Sequence, residues 1–194
     1  LARPQISDTD RIRFAEKTRS RLLYLERLIQ DMLLFVKGAR LVSHPFPLHE
    51  LIEDIAHTLE PHASAKLISL RLAEVPADLM LSGDRQAIAG ALINLLENAL
   101  QASEEGGRVE LTLNGFGSPF AAFQVLDTGA GIPESARERL FEPFFTTRGE
   151  GSGLGLAIVR QVAEAHDGWV EWEPGIEGGS IFTLFLPFAG KGNA

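Results

Sequence analysis

The 194 residues include no cysteine. That excludes disulfides and thiolate metal sites, and it fits a reducing compartment, so a cytoplasmic location is expected. No apolar run approaches the ~18 residues that a membrane-spanning helix requires. Basic charge is in deficit: 18 Lys and Arg stand against 26 Asp and Glu, a formal net charge of -8. A chain so balanced, with no basic cluster, is a poor ligand for polyphosphate backbones, and no nucleic-acid partner is expected. A Walker loop is missing. So is a complete GxGxxG fingerprint, because Leu156 stands where its third glycine belongs. Neither internal repeats nor low-complexity stretches occur. Residues 1–10 have neither the basic start nor the apolar core of a secretory signal, and read as the interior of a longer protein whose membrane attachment is left open.

What is present is an ordinary globular composition, 45% hydrophobic and 23% charged. It suffices for one domain with a short appendage. Residues 8–36 carry a helical pattern. Leu22, Leu25, Ile29, Met32 and Val36 recur at 3-4-3-4 spacing, a heptad seam that Tyr24, Leu28 and Phe35 widen. An apolar stripe of that width on one helix requires a partner helix in a bundle. Gly38 closes the helix. Ser43-His44-Pro45-Phe46-Pro47 reads as an irregular linker because of its two prolines. The expected organisation is a stem helix (1–42), a linker (43–47) and a main domain (48–194). In the main domain a helix begins at Leu48, with Pro61 marking its end or a kink, and a strand lies within 66–73 and another at 79–81. The strongest helix spans 84–103, followed by strands at 108–114 and 121–126. A short helix at 133–140, a helix at 154–166 and a hairpin of strands 169–173 and 180–186 complete it. Mixed order with adjacent strands at the end implies α+β: a two-layer sandwich, a mixed sheet with helices on one face.

Four clusters can carry chemistry. Asn94 and Asn98 stand at i and i+4 in Asn-Leu-Leu-Glu-Asn-Ala, on one helix face. Paired amides can offer oxygen to a hard cation and nitrogen to phosphate, although taken alone they also fit surface or capping positions. Asp127-Thr-Gly129-Ala-Gly131-Ile follows an apolar strand. A carboxylate at that tip can accept from an exocyclic amine, while the bland alternative is a tight turn. Phe141-Glu-Pro-Phe144-Phe145 places three phenylalanines in five residues, fit for docking on apolar surface or for core packing. Gly151-Ser152-Gly153-Leu154-Gly155 precedes an apolar helix. Its free N–H groups and the positive helix start favour phosphate, but a glycine-rich turn alone is weak.

In conjunction and in this order, these motifs resemble the GHKL superfamily of ATP-binding domains, and within it the sensor histidine kinases, over roughly residues 49–187. They match its N, G1, F and G2 boxes, and Gly178-Gly179-Ser180-Ile181-Phe182-Thr183 is similar to its last glycine-rich box. The resemblance implies a GHKL (Bergerat) sandwich and ATP with Mg2+ as cofactors. It implies Asp127 on the adenine amine, with Gly129 and Gly131 at the base and Thr183 assisting. Asn98 is implied as Mg2+ ligand and Asn94 as its support. Arg148 would lie on the distal phosphates, and Gly151, Ser152, Gly153, Leu154 and Gly155 would form the lid. The Thr146-Thr147-Arg148 run is similar to nitrogen- and flagellar-regulator sensor kinases. Gln101 stands where relatives often carry a basic residue. Asn94 replaces the glutamate that activates water in the ATP-hydrolysing branches, so ATP is expected to be held for transfer. Glu97 lies about 100° around the helix from Asn98 and is not expected to replace that base.

The five histidines, His44, His49, His57, His62 and His166, lack the family's phospho-acceptor context and are expected to be structural or exposed. The acceptor would lie on a preceding helix, with Arg3-Pro4-Gln5-Ile6 as the hairpin between. The chain is therefore expected to bind Mg-ATP without labelling itself and to be monomeric or pair non-natively. The implied partners are ATP/ADP, a dimerisation stem bearing the acceptor histidine, and a response regulator, in a parent that is a homodimer.

Overall fold

The computed structural model describes residues 11–15, 17–19, 22, 42–115, 117–147, 151–176 and 178–188. The chain divides into two compact units, Leu1–Gly38 and Ala39–Ala194. In the first, residues 11–15, 17–19 and 22 are helical, and Ile12, Phe14 and Leu22 are exposed. The rest of the expected seam (Tyr24, Leu25, Leu28, Ile29, Met32, Phe35, Val36) and its Gly38 stop lie outside the described residues.

The second unit begins with strand β1 (His44–Pro47) and helix α1 (Leu48–Ala65). Strands β2 (Ser69–Arg71) and β3 (Met80–Gly83) then lead to α2 (Arg85–Ala102). Next come β4 (Arg108–Asn114), β5 (Phe120–Asp127), α3 (Glu134–Arg137), α4 (Gly155–Ala165), β6 (Trp169–Pro174) and β7 (Ser180–Pro187). Five strands form one mixed sheet in the order β2-β4-β5-β7-β6, with β2 parallel to β4 and all other pairs antiparallel. Period-two alternation decides its faces. Val109, Leu111 and Leu113 are buried on the same face as Ala121, Phe123, Val125 and Asp127. Against that face α2 packs on β4 and β5 and α4 on β6 and β7, with α1 beside α2. The expected sandwich, helices on one face of a mixed sheet, is what forms. No helix among the described residues is long and apolar enough to cross a membrane.

The Pro-rich segment 43–47 corrects the linker expectation, because His44–Pro47 pairs antiparallel with β3. Leu48 N–H donates to Leu79 O at 2.9 Å, so positions of its parity face β3. Pro45 and Pro47 have the other parity. Their missing donors turn outward from a two-stranded ribbon, where no bond is lost. Pro61 likewise does not end its helix, which runs on to Ala65. Pro61 and His57 are both exposed, so water can take the carbonyl that Pro61 cannot serve.

Helix α2 carries the paired amides, and its ends are secured from outside. Asp84 caps it, accepting from Gln86 N–H at 3.1 Å and Ala87 N–H at 3.0 Å. At the other end Lys66 Nζ donates to Leu100 O at 3.0 Å and Ser103 Oγ to Ala99 O at 2.9 Å. Buried His166, just past α4, accepts from Asp84 N–H through Nε2 (3.0 Å), while Nδ1 lies 2.7 Å from Val162 O. Both bonds are satisfied by the neutral Nδ1–H tautomer, a structural role. His44, His57 and His62 are exposed and His49 is half-buried. Beyond the local backbone of its own helix, mid-helix Gly90 has nothing within 4 Å of where a Cβ would stand. Gly90→Ala is therefore expected to raise stability by about 0.5–1 kcal/mol, read as a higher urea midpoint at unchanged slope.

Candidate active site

Asp127 ends β5 and is only 3% exposed. Its Oδ1 accepts from Gly129 N–H at 2.8 Å, which turns the chain sharply after the strand. Thr128 ties the same turn to β4: its N–H donates to Arg108 O at 3.2 Å, and its Oγ1 accepts from Arg108 N–H at 2.9 Å. Gly129 packs on Ala102 at the end of α2, and Gly131 faces the Gly179 carbonyl. Gly179 lies against the backbone and carboxylate of Asp127 with φ +75°, and any side chain there would drive into Asp127. The first and last glycine-rich segments thus close around one acidic strand tip.

The second half of the site is the start of α4. A Cβ on Gly155 would stand 3.8 Å from Asn94 Oδ1 and 3.8 Å from Asn98 Nδ2. The first bond of this helix runs from Ile158 N–H to Leu154 O at 2.9 Å. The N–H groups of Gly155, Leu156 and Ala157 precede that bond, so the helix ladder offers them no partner, and the positive helix start lies beside both amides. Gly151 and Ser152 lie half-buried just ahead. Ser152 Oγ accepts from Leu154 N–H at 3.2 Å.

The lid is closed at its base. Phe144 N–H donates to Gly153 O at 2.9 Å, and both residues are left-handed, with φ 65° and 67°. The three phenylalanines part company. Phe141 stands edge-on to Phe182 with ring centroids 6.3 Å apart, and Phe145 lies 4.3 Å under the Arg139 guanidinium. Phe144 points outward, 65% exposed. Phe141 takes the packed role, and Phe144 is exposed, docked on no apolar surface among the described residues.

Most expected site residues fall into these two halves, but two are placed differently. Thr183 pairs with Gln124 and Glu171, on the sheet face away from the helices and from Asp127. The ladder instead carries Ser180, 3% exposed, to the position across from Asp127. Ser180 and Thr183 are three positions apart, an odd offset, and strand alternation alone is the signal that distinguishes them. Leu154 is fully buried, and its N–H and C=O are both taken within the chain. It anchors the lid and has no group left for a ligand. Arg148, with Gly149 and Glu150, lies outside the described residues.

The donor set suits a particular kind of metal. Among the described residues no group of three or more His, Cys, Asp or Glu could hold an ion. A cation here would rest on an amide oxygen plus oxygens brought by its ligand, which is how Mg2+ is commonly held beside phosphates.

Residues 83–190 match the model of the histidine kinase-, DNA gyrase B- and HSP90-like ATPases. The chain belongs to this family. Every element of the site lies inside that match, from the cap of α2 to the end of β7. Among curated relatives of this ATPase domain, sensor histidine kinase ZraS of Escherichia coli (strain K12) is 32% identical over 163 residues, covering 84% of the chain and 35% of ZraS. The chain spans about a third of the length of the curated ZraS relatives it matches. Full-length ShkA in complex with AMPPNP superposes with a TM-score of 0.78 at 29% identity, covering 95% of the chain and 40% of ShkA. Histidine kinase ThkA in complex with response regulator protein TrrA gives 0.73 at 29% identity, covering 97% and 53%.

Proposed function

We propose that this chain is the ATP-binding catalytic part of a two-component sensor histidine kinase, passing the γ-phosphoryl of ATP to a histidine on a dimerisation stem. The observation that carries the reading is Gly155 at the start of α4, seated against both Asn94 and Asn98. It brings a helix N-terminus and the amide pair together on one side, with buried Asp127 and its glycine turns on the other.

In this reading Asp127 accepts from the adenine amine, and Gly129 and Gly131 let the backbone approach the flat base. Gly151, Ser152, Gly153 and the free N–H groups at Gly155 and beyond receive the phosphates. Arg148 is the cation for the distal phosphates, its planar fork suited to two oxygens at once. Asn98 offers its amide oxygen to Mg2+, and Asn94 orients phosphate or metal beside it. The metal, when bound, neutralises phosphate charge. The reaction forms an N–P bond between the acceptor imidazole and the γ-phosphorus as the bond from that phosphorus to the β–γ bridging oxygen breaks. ADP leaves and the imidazole proton passes to solvent. Phosphoryl transfer of this loose kind needs positioning and charge neutralisation more than a strong base. That suits Asn94, which cannot deprotonate water and so favours transfer over hydrolysis.

The phosphoryl group then passes to an aspartate of a response regulator, in keeping with the ThkA–TrrA complex. The parent is proposed to act as a homodimer with this domain in the cytoplasm. The Thr146-Thr147-Arg148 run supports a kinship with the nitrogen- and flagellar-regulator sensors. With labelled ATP, magnesium and a separately supplied helical stem bearing the acceptor histidine, the chain is expected to label the stem and not itself. Steady phosphate release with an unlabelled stem would instead indicate an ATPase of the gyrase or chaperone type.

A further inference from the structure

Helices α2 and α4 pack on each other and run in opposite directions. The start of α4 meets the amide pair, with Gly155 against Asn94 and Asn98. Its far end reaches the residue that opens α2. There buried His166 accepts from Asp84 N–H through Nε2 at 3.0 Å. Ile158, Val159, Val162 and Ala163 hold α4 down by apolar burial. Burial of that kind is non-directional and does little to set the angle between the two helices. A hydrogen bond constrains both distance and direction. Gly155–Ala165 is eleven residues long and spans about 16 Å, so a tilt of about 4° at the His166 end swings the start of α4 by about 1 Å. At a phosphoryl group that displacement is worth up to about a hundredfold in rate.

The imidazole is itself held on both sides. Nδ1 lies 2.7 Å from Val162 O, one turn back in the same helix. Gly83 leaves the ring its space: a Cβ there would stand 2.9 Å from His166 Cδ2 and 3.0 Å from Nε2, as well as 2.7 Å from Ile88 Cδ1. Asp84 in turn is tied to α2 by its carboxylate, which accepts from Gln86 and Ala87 N–H. Each member of the brace is thus oriented by a second bond, which makes the joint stiff.

We propose that His166 is a positioning residue for phosphoryl transfer, bracing the far end of α4 on the cap of α2 so that the start of α4 keeps its place beside Asn94 and Asn98. The inference rests on the kinase reading above. His166 touches neither nucleotide nor acceptor in that reading and acts through the length of its helix.

The test combines single-turnover labelling of a separately supplied stem at saturating ATP, adenosine affinity and thermal melting, with rates taken well below each melting temperature. His166→Asn can keep a bond to Val162 O but is too short to reach Asp84 N–H. His166→Gln puts its carboxamide oxygen near the place of Nε2 and can accept that N–H. His166→Asn is expected to transfer at least about tenfold more slowly, with adenosine affinity near wild type, and His166→Gln to recover most of the rate. A histidine that merely holds the fold together would lower the melting temperature and leave the transfer rate of the folded protein unchanged, and that result overturns the inference. So does a rate in His166→Gln as low as in His166→Asn. Should His166→Asn not fold, Gly83→Ala, which crowds the ring, must show the same slow transfer at unchanged adenosine affinity, or the inference fails. A wild-type chain that binds ADP but labels no stem overturns the kinase reading, and this inference with it.

Discussion

Asp127→Asn is expected to lower nucleotide affinity at least about a hundredfold, or about 2.7 kcal/mol, while leaving the domain folded. The loss follows from the number of acceptors. One carboxylate oxygen already takes Gly129 N–H at 2.8 Å to make the turn. In the proposed complex the other takes the adenine amine. A carboxamide has one acceptor oxygen and one NH2 group, so whichever way it is turned one donor is left facing a donor. The site is 3% exposed, and water cannot repair the mismatch cheaply. Without nucleotide the oxygen of the introduced carboxamide can stay on Gly129 N–H and keep the turn. ADP in magnesium buffer, at about 100 times its wild-type dissociation constant, stabilises the wild type by about 2.7 kcal/mol. The same concentration should stabilise the variant by about 0.4 kcal/mol or less. Thermal melts of both proteins with and without ADP read this directly. An undiminished shift in Asp127→Asn would remove the acidic strand tip from the adenine site.

Why some of this was readable from the amino acids and some was not comes down to the range of the forces. The bounds of α2 follow from local chemistry, a capping aspartate at Asp84 and a stripe of leucines, and the helix runs from Arg85 to Ala102 as that chemistry requires. Strand β4 follows from strict alternation in Arg108–Asn114. The i, i+4 spacing placed Asn94 and Asn98 on one face before any partner was known, and Gly155 is the partner. What escaped depends on distant register. Pro45 and Pro47 are tolerated because β3 lies on the side where their nitrogens are not, which no local pattern records. Thr183 and Ser180 are both hydroxyls on the same strand. Only the pairing of β7 with β5 turns Ser180 toward Asp127 and Thr183 to the face away from the helices. The three phenylalanines are chemically identical, and only the tertiary fold sends Phe141 inward onto Phe182 and Phe144 outward.

The lid clasp yields the second large effect. Gly153 sits at φ 67°, and an added Cβ would fall 2.5 Å from the carbonyl carbon of Phe144 and 2.8 Å from its Cα. Those atoms are backbone and cannot swing aside. Alanine in the left-handed region also costs about 1–2 kcal/mol by itself. Gly153→Ala is therefore expected to break the Phe144 N–H to Gly153 O bond and open the base of the lid. The start of α4 would then lose its seat on Asn94 and Asn98, while Asp127 and its glycine turns stay as they are. A shift of an ångström at a phosphoryl group is enough to slow transfer about a hundredfold. Adenosine, which has no phosphates, should bind the variant nearly as well as wild type, whereas ATP should lose both affinity and transfer to the stem. Opening a loop base is a local event, so the melting temperature should fall far less than for a core change. Parallel titrations with adenosine and ATP, together with single-turnover labelling of the stem, separate the two halves of the site. Equal losses for both ligands would mean that the lid and the adenine pocket are one cooperative unit, and undiminished transfer would mean that the clasp does not position the phosphates at all.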